Sequence, residues 1–206
     1  MSRGGRHLLA AVWRYGRPAP SERFVCYDSM ILLPGDGERQ RALFAFAKGV
    51  LDALGIRHGP AHCELMWVDG VPVLVEVGAR LSAGNNCTLS RLCSDRCQLD
   101  LTIDAYTAPA RFLAHGDAPY VLERTAANVF LIPPVAGILR GAPRLAEIEA
   151  LASFAEMQAG IEPGAPAPRV AGVVTLIHAD PEVVAGDVER IRHLERNGLF
   201  DIAPVA

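Results

Sequence analysis

Two extended apolar runs separated by Asp69 and Gly70 most constrain how this chain can fold. The runs cover residues 61–68 and 71–77, and both are rich in side chains that favour strands. An Asp-Gly pair between such runs is a strong short-range signal for a β-hairpin. We therefore expect two antiparallel strands joined by a tight turn, with glutamates at Glu64 and Glu76.

The register of this hairpin decides how the two glutamates lie. With a loop of three or five residues centred on Gly70, Glu64 is opposite Glu76, and Arg80 shares their face. That face also carries Met66, Val68, Leu74 and Gly78. Opposed carboxylates repel each other and destabilise a sheet unless something compensates. A magnesium ion does so directly, because it takes hard oxygen ligands and completes its coordination with water and substrate phosphates.

A turn of two residues is the alternative. It shifts the register by one, places Glu64 opposite Val75 and leaves both glutamates on a solvated face beside arginines. The apolar residues of the hairpin favour the register that places Glu64 opposite Glu76. In that register one face would be packed by Val71, Val73, Val75 and Val77, and the other by Leu74 and Met66. Glutamates between such neighbours are poorly solvated unless they face a cleft. Both registers stay open on the sequence alone.

Other segments have clear helix or strand patterns. Strands are predicted at residues 7–15, 24–33, 120–132, 154–158 and 170–179. Helices are predicted at residues 38–54, 88–93, 98–106 and 181–197. Gly55 is expected to end the first of these helices and Asp180 to cap the last, while Pro109 is expected to close the central helical region.

Charge and composition exclude several classes of protein. The net charge of −3 comes from 20 basic and 23 acidic residues spread along the chain, which argues against a nucleic-acid partner. The apolar run near the start is interrupted by Arg14 and is too brief for a signal segment or a membrane span. The five cysteines lack the paired spacing of zinc sites and are expected to be free thiols. We expect a cytoplasmic protein without a membrane partner.

The sequence from Leu54 to Glu64, followed by Val73-Leu74-Val75-Glu76-Val77-Gly78-Ala79-Arg80, closely resembles the metal-binding segment of ATP-grasp enzymes. Within that superfamily it is most similar to the amino-acid and dipeptide ligases. Their pattern is a glutamate on one strand and E-x-N-x-R on the next. Gly78 departs from this pattern, since it stands where the asparagine ligand is usual.

The resemblance implies roles for individual residues. Glu64 and Glu76 would bind Mg²⁺ or Mn²⁺ bridging the phosphates of ATP, the co-substrate, and Arg80 would be the catalytic group touching the transferred phosphate. Asn85 and Asn86 lie on the following loop, where a substrate carboxylate or phosphate would be met, although loop asparagines are more often turn formers. His62 is expected on the opposite face from Glu64, as a structural histidine.

The resemblance also implies a fold and a reaction. We expect an α/β (α+β) fold: the second half of an ATP-grasp domain over residues 1–109, with a largely antiparallel sheet and packed helices, and a small α+β lobe over residues 110–206. The implied reaction is ATP-dependent ligation of a small carboxylate to an amine, with an acyl-phosphate intermediate and ADP as product.

In the family, an amino-terminal half that binds the nucleotide precedes this segment, and no counterpart of it is found before His7. The chain is therefore expected to be a truncation: a non-catalytic remnant, or a split-enzyme subunit needing an upstream-encoded partner half. The sequence also leaves open that the chain forms a homo-oligomer. A metal-dependent hydrolase using the same glutamates is a weaker alternative, because no general base accompanies them.

Overall fold

The structure is a computed structural model that describes residues 1–17 and 27–204. In chain order the strands are β1 Ser2–Arg3, β2 Arg6–His7, β3 Val12–Gly16, β4 Ser29–Leu33, β5 His62–Val68, β6 Val71–Gly78, β7 Thr125–Leu131, β8 Ile138–Gly141, β9 Phe154–Ala159, β10 Gly172–His178 and β11 Asp201–Ala203. The helices are α1 Glu38–Ala53, α2 Asn86–Cys93, α3 Gln98–Thr107, α4 Pro109–Ala114, α5 Leu145–Glu149 and α6 Pro181–Arg196.

The chain forms two compact units. The first comprises Met1–Val12 and Leu33–Glu123, and the second comprises the described residues of Trp13–Leu32 and Arg124–Ala206. Each unit is therefore built from two separate stretches of sequence. The division at residue 110 stays a prediction.

The first unit carries the hairpin of β5 and β6 and four helices. Its core is formed by Met1, Leu8, Ala10, Leu101, Ala105 and Phe112. The helix α1 packs against the hairpin, where the Arg39 guanidinium lies 5.1 Å from the centre of the Trp67 ring. Since side chains alternate along a strand, α1 covers the face of Trp67 and not the face of Glu64.

The second unit is built on a five-stranded sheet in the order β3-β4-β7-β10-β9. The pairs β4–β7, β7–β10 and β10–β9 are antiparallel. Helix α6 packs on this sheet, and the shared core includes Val129, Leu131, Val174, Leu176, Val184 and Ile191. The predicted α/β fold with a largely antiparallel sheet and packed helices is confirmed.

The long helices agree closely with their predicted bounds, because their end signals are local. Gly55 follows α1 with a positive φ of 68°, and its N–H donates to the Asp52 carbonyl at 3.0 Å. Asp180 caps α6, since its carboxylate accepts a hydrogen bond of 2.9 Å from the Glu182 N–H.

Several short elements differ from expectation. The strand predicted at residues 7–15 is broken, since Gly4 and Gly5 turn β1 back onto β2 and β3 begins only at Val12. Of the strand predicted at residues 24–33, residues 24–26 lie outside the described chain. Pro109 begins α4 instead of ending the helical region, because a proline at the first helical position gives up no internal hydrogen bond.

The described part of the chain contains no helix that is both long and apolar enough to cross a membrane.

Candidate functional site

The turn of the hairpin contains two residues, which is the turn length of the second of the two registers left open by the sequence. Val68 pairs directly with Val71, and the turn residues Asp69 and Gly70 have φ angles of 50° and 83°. Both angles lie in the left-handed region, which matches the right-handed twist of the flanking strands. Asp tolerates this conformation better than most residues, and Gly adopts it freely.

A β-bulge nevertheless restores the predicted opposition of the two glutamates. From the turn as far as the Leu65–Leu74 pair the register is that of a two-residue turn, but the next pair is Glu64 with Glu76. Val75 is the extra residue on β6, so it has no single partner on β5. The alternative that placed Glu64 opposite Val75 is therefore wrong, although its turn length is right.

The bulge also redistributes the side chains between the two faces. Leu74 pairs with Leu65 and so lies on the face away from Glu64, contrary to expectation. Val71 and Val73, opposite Val68 and Met66, lie on the glutamate face near the turn. The side chains of Met66, Val68, Val71, Val73 and Val75 are exposed. The expected apolar packing of the β6 valines as one face is thus wrong, because the extra residue interrupts the alternation.

Each glutamate has a basic neighbour close to it in the sequence: His62 on β5 and Arg80 just beyond the end of β6. Glu64 Oε1 is 3.3 Å from His62 Nε2, and Glu76 Oε1 is 3.7 Å from Arg80 Nη2. The expectation that His62 lies on the opposite face was wrong, since residues two apart on a strand share a face. The side chains of Glu64 and Glu76 are 35% and 59% exposed. Both carboxylates are therefore open to solvent and to ligands on one side of the hairpin.

The face behind Glu64 carries Cys63, which pairs with Val77. Burial raises the pKa of the Cys63 thiol, partly offset by the positive charge of the amino terminus. The thiol form is therefore favoured, and the group is poorly suited to act as a thiolate ligand.

The loop after Arg80 is held by side-chain hydrogen bonds. Asn86 is buried at the start of α2, and its amide donates to Ser82 Oγ at 2.9 Å. Asn85 occupies the position before α2, and its backbone carbonyl accepts a hydrogen bond of 2.9 Å from the Leu89 N–H. The contact to Ser82 supports the structural interpretation of Asn86. Binding of substrate or phosphate by the two asparagines stays a prediction.

Gln98 is a residue of this region that sequence reasoning missed. Its carbonyl oxygen accepts from the Ser82 N–H at 2.7 Å, and its amide donates to the Ala61 carbonyl at 2.9 Å. One buried side chain on α3 therefore holds both the entrance to β5 and the loop that leaves β6. No local signal marks this role, because Gln98 and Ala61 are distant in the sequence.

The donor set at the hairpin fits a magnesium ion. Two carboxylates opposed on a rigid sheet supply hard oxygens, and magnesium in nucleotide sites commonly takes one or two carboxylates together with water and phosphates. Within residues 1–17 and 27–204, no group of three or more His, Cys, Asp or Glu side chains is arranged to hold a metal. Glu64 and Glu76 therefore remain the two predicted side-chain ligands of the metal.

The chain is 28% identical over 141 residues to dapdiamide A synthase from Enterobacter agglomerans, a match that covers 68% of this chain and 33% of that protein. No protein-family model matches the sequence.

Solved structures with a similar fold include three ligases or synthetases. L-amino acid ligase from Bacillus licheniformis has a TM-score of 0.75 at 19% identity, over 100% of this chain and 52% of that one. Phosphoribosylglycinamide synthetase from Anaerococcus prevotii has a TM-score of 0.58 at 11% identity, over 87% and 46% of the two chains. N5-carboxyaminoimidazole ribonucleotide synthetase from Thermotoga maritima has a TM-score of 0.53 at 16% identity, over 86% and 46%.

This chain thus spans about half the length of the structures that it matches, and a third of the curated relative. At these identities, the similarity to the solved structures is evidence for the fold alone. The predicted resemblance to ATP-grasp ligases is confirmed at the level of the fold, which the chain shares with about half of each of these structures.

Proposed function

We propose that this chain is the phosphate-binding portion of an ATP-dependent carboxylate–amine ligase, with Glu64 and Glu76 as the magnesium ligands and Arg80 as the catalytic group. The observation that carries the proposal is the direct opposition of Glu64 and Glu76, with Arg80 beside the second of them. Such an arrangement is costly for a sheet unless it serves a cation.

The proposed reaction has two steps. A substrate carboxylate oxygen attacks the γ-phosphorus of ATP, which breaks the bond to the bridging oxygen and gives an acyl phosphate and ADP. An amine then attacks the acyl carbon, forms the amide, releases phosphate and gives up its proton to solvent. Phosphoryl transfer needs positioning and charge stabilisation more than covalent help from the protein.

The side chains of the hairpin would supply that stabilisation. A bound magnesium ion would neutralise charge on the ATP phosphates. Glu64 and Glu76 would hold it on the open face of the hairpin. Arg80 is half-exposed, and its guanidinium offers a planar set of donors to phosphate oxygens. The bulge at Val75 keeps Glu76 on the face of Glu64, so that both carboxylates are available together.

The names of the relatives support the proposed class of reaction. One solved relative is an L-amino acid ligase and the curated relative is a synthase, so a small acid and a small amine are the substrates we propose. Met66, Val68, Val71 and Val73 are exposed on the same face, where an apolar part of a ligand would find contacts.

Calorimetric titration with Mg-ATP tests the proposal. We expect binding by the wild-type chain, loss of magnesium-dependent binding in Glu76→Gln, and unchanged binding in Asp69→Asn. Asp69→Asn is a matched control, because it also removes one negative charge from the hairpin and Asn tolerates the left-handed conformation of the turn. Equal binding by all three proteins would rule out Glu76 as a ligand.

A second candidate is that nucleotide binding needs a further polypeptide in addition to this chain, which spans about half of each solved relative. The same titration is therefore repeated with the protein encoded immediately upstream added to the chain. Tight binding only in the mixture identifies a split enzyme. Absence of binding both alone and in the mixture identifies a non-catalytic remnant.

A further inference from the structure

The neighbour of Glu64 on its own strand is a largely buried histidine. The His62 side chain is 16% exposed, and its Nε2 lies 3.3 Å from Glu64 Oε1. An ionised carboxylate is acceptor-only, so Nε2 must carry the hydrogen in this contact. Because the ring is mostly enclosed, its direction is set by packing, and the carboxylate that it contacts is more restricted than a free surface glutamate.

The position across the sheet from His62 is Gly78. A Cβ at Gly78 would lie 3.3 Å from both Cγ and Nε of Arg80, so the Arg80 side chain passes over the glycine. Gly78 therefore offers no side chain to orient its neighbours. The carboxylates are instead contacted by residues near them in the sequence: Glu64 by His62 on β5, and Glu76 by Arg80 just after β6.

We propose that His62 is a positioning residue that holds the Glu64 carboxylate in the orientation needed to bind the divalent cation. This role rests on the proposed function, since it requires Glu64 to be a ligand. The contact uses Oε1, which leaves the second oxygen of the carboxylate to face the cation. It also opposes the tendency of Glu64 to turn away from the negative charge of Glu76.

The effect of losing such a contact follows from known metal sites. Partners that orient a metal ligand change metal affinity by about 10-fold to 100-fold when they are removed. A histidine that served only to pack the sheet would change the stability of the fold and leave the affinity of the folded protein for metal unaltered. Metal affinity and stability therefore separate the two roles.

Electron paramagnetic resonance of free Mn²⁺ measures this affinity for the full chain, with and without ATP. The variants His62→Leu and His62→Ala remove the N–H donor, and the former retains most of the volume. We expect both to weaken Mn²⁺ binding by about 10-fold to 100-fold. His62→Gln keeps an N–H donor and should restore most of the affinity. His58→Ala, in the exposed loop before β5, is the matched control and should bind like wild type.

The outcomes distinguish this role from the proposed function. Mn²⁺ binding by wild type that His62→Leu or His62→Ala leaves unchanged overturns the role of His62 alone. Failure of the folded His62→Gln variant to bind better than the other two also overturns it. Absence of Mn²⁺ binding by the wild-type chain, with or without ATP, overturns the proposed ligand role of Glu64 together with that of His62. Thermal unfolding of each variant confirms that only folded protein is compared.

Discussion

Substituting Glu64 and Glu76 by Gln, singly and together, measures the electrostatic repulsion between the two carboxylates. The two residues are directly opposed, and such pairs have Cβ atoms about 5 Å apart. At that separation two unit charges repel by about 1 kcal/mol in water and by about 3 kcal/mol at an effective dielectric constant of about 20. Because Glu76 is 59% exposed, the lower figure applies.

The ion pair with Arg80 acts in the other direction. Exposed pairs of this kind contribute at most about 1 kcal/mol to stability. In the absence of metal, Glu76→Gln should therefore leave the free energy of unfolding unchanged or raise it by up to about 1 kcal/mol. The coupling between Glu64→Gln and Glu76→Gln should be repulsive and about 1 kcal/mol.

Urea denaturation of the four proteins of this double-mutant cycle, at low and at high salt, provides the measurement. The screening length falls from about 10 Å at 0.1 M salt to about 3 Å at 1 M, so most of the coupling should disappear at high salt. Saturating Mg-ATP, at about a hundred times its dissociation constant, should stabilise the wild type by about 2.7 kcal/mol and leave Glu76→Gln unchanged.

Two results would refute this account. An attractive coupling, or none at low salt, would mean that the carboxylates do not face each other. A loss of more than about 2 kcal/mol in Glu76→Gln would mean that the glutamate is a structural ion-pair partner instead of a ligand.

Three further predictions concern residues outside the carboxylate pair. Arg192 Nη1 donates to Glu195 at 2.5 Å in the second unit, where both side chains are buried. Arg192→Met should cost about 3–5 kcal/mol in urea denaturation, because it leaves the buried Glu195 carboxylate without its countercharge. Burial raises the pKa of Tyr120 to about 12. The stability this provides is present below about pH 10 and lost as the pH rises through 12, amounting to about 3 kcal/mol. Unfolding of Tyr120→Phe should not show this dependence. Gln98→Met should cost about 2 kcal/mol and accelerate hydrogen exchange at the Ser82 amide, since two backbone groups lose their partner.

The parts of the fold that sequence predicts well are those with local signals. The helix α1 has apolar residues at helical spacing and ends at Gly55, and α6 begins at the Asp180 cap. The hairpin is marked by Asp69-Gly70. Each of these signals lies within a few residues of the structure that it specifies, so no knowledge of the rest of the chain is needed.

Other features depend on distant partners. Strand β4 pairs with β7 through Ser29 and Val129, and β8 pairs with β11. The short strands β8 and β11 have four and three residues, too few for a periodic pattern. Their partners, and not their own propensity, make them strands.

The candidate site shows the same division. Glu64, Glu76 and Arg80 were predicted from alternation and resemblance, and the opposition of the glutamates is present. The contact of His62 with Glu64 follows from the alternation of side chains along β5, so the prediction that His62 lies on the other face is wrong. Gln98 was not predictable, because it reaches the hairpin from α3 across a wide gap in sequence.

The bulge at Val75 makes the carboxylate pairing tolerant of changes in length at the hairpin tip. A two-residue turn with the bulge and a three-residue turn without it both bring Glu64 opposite Glu76. A deletion of one residue beside Gly70 can thus be absorbed by straightening β6, since the two-residue turn and the pairing of Glu64 with Glu76 are both kept. The outer end of the hairpin is consequently free to diversify, for example towards different ligands, while the positions that would carry the cation keep their alignment.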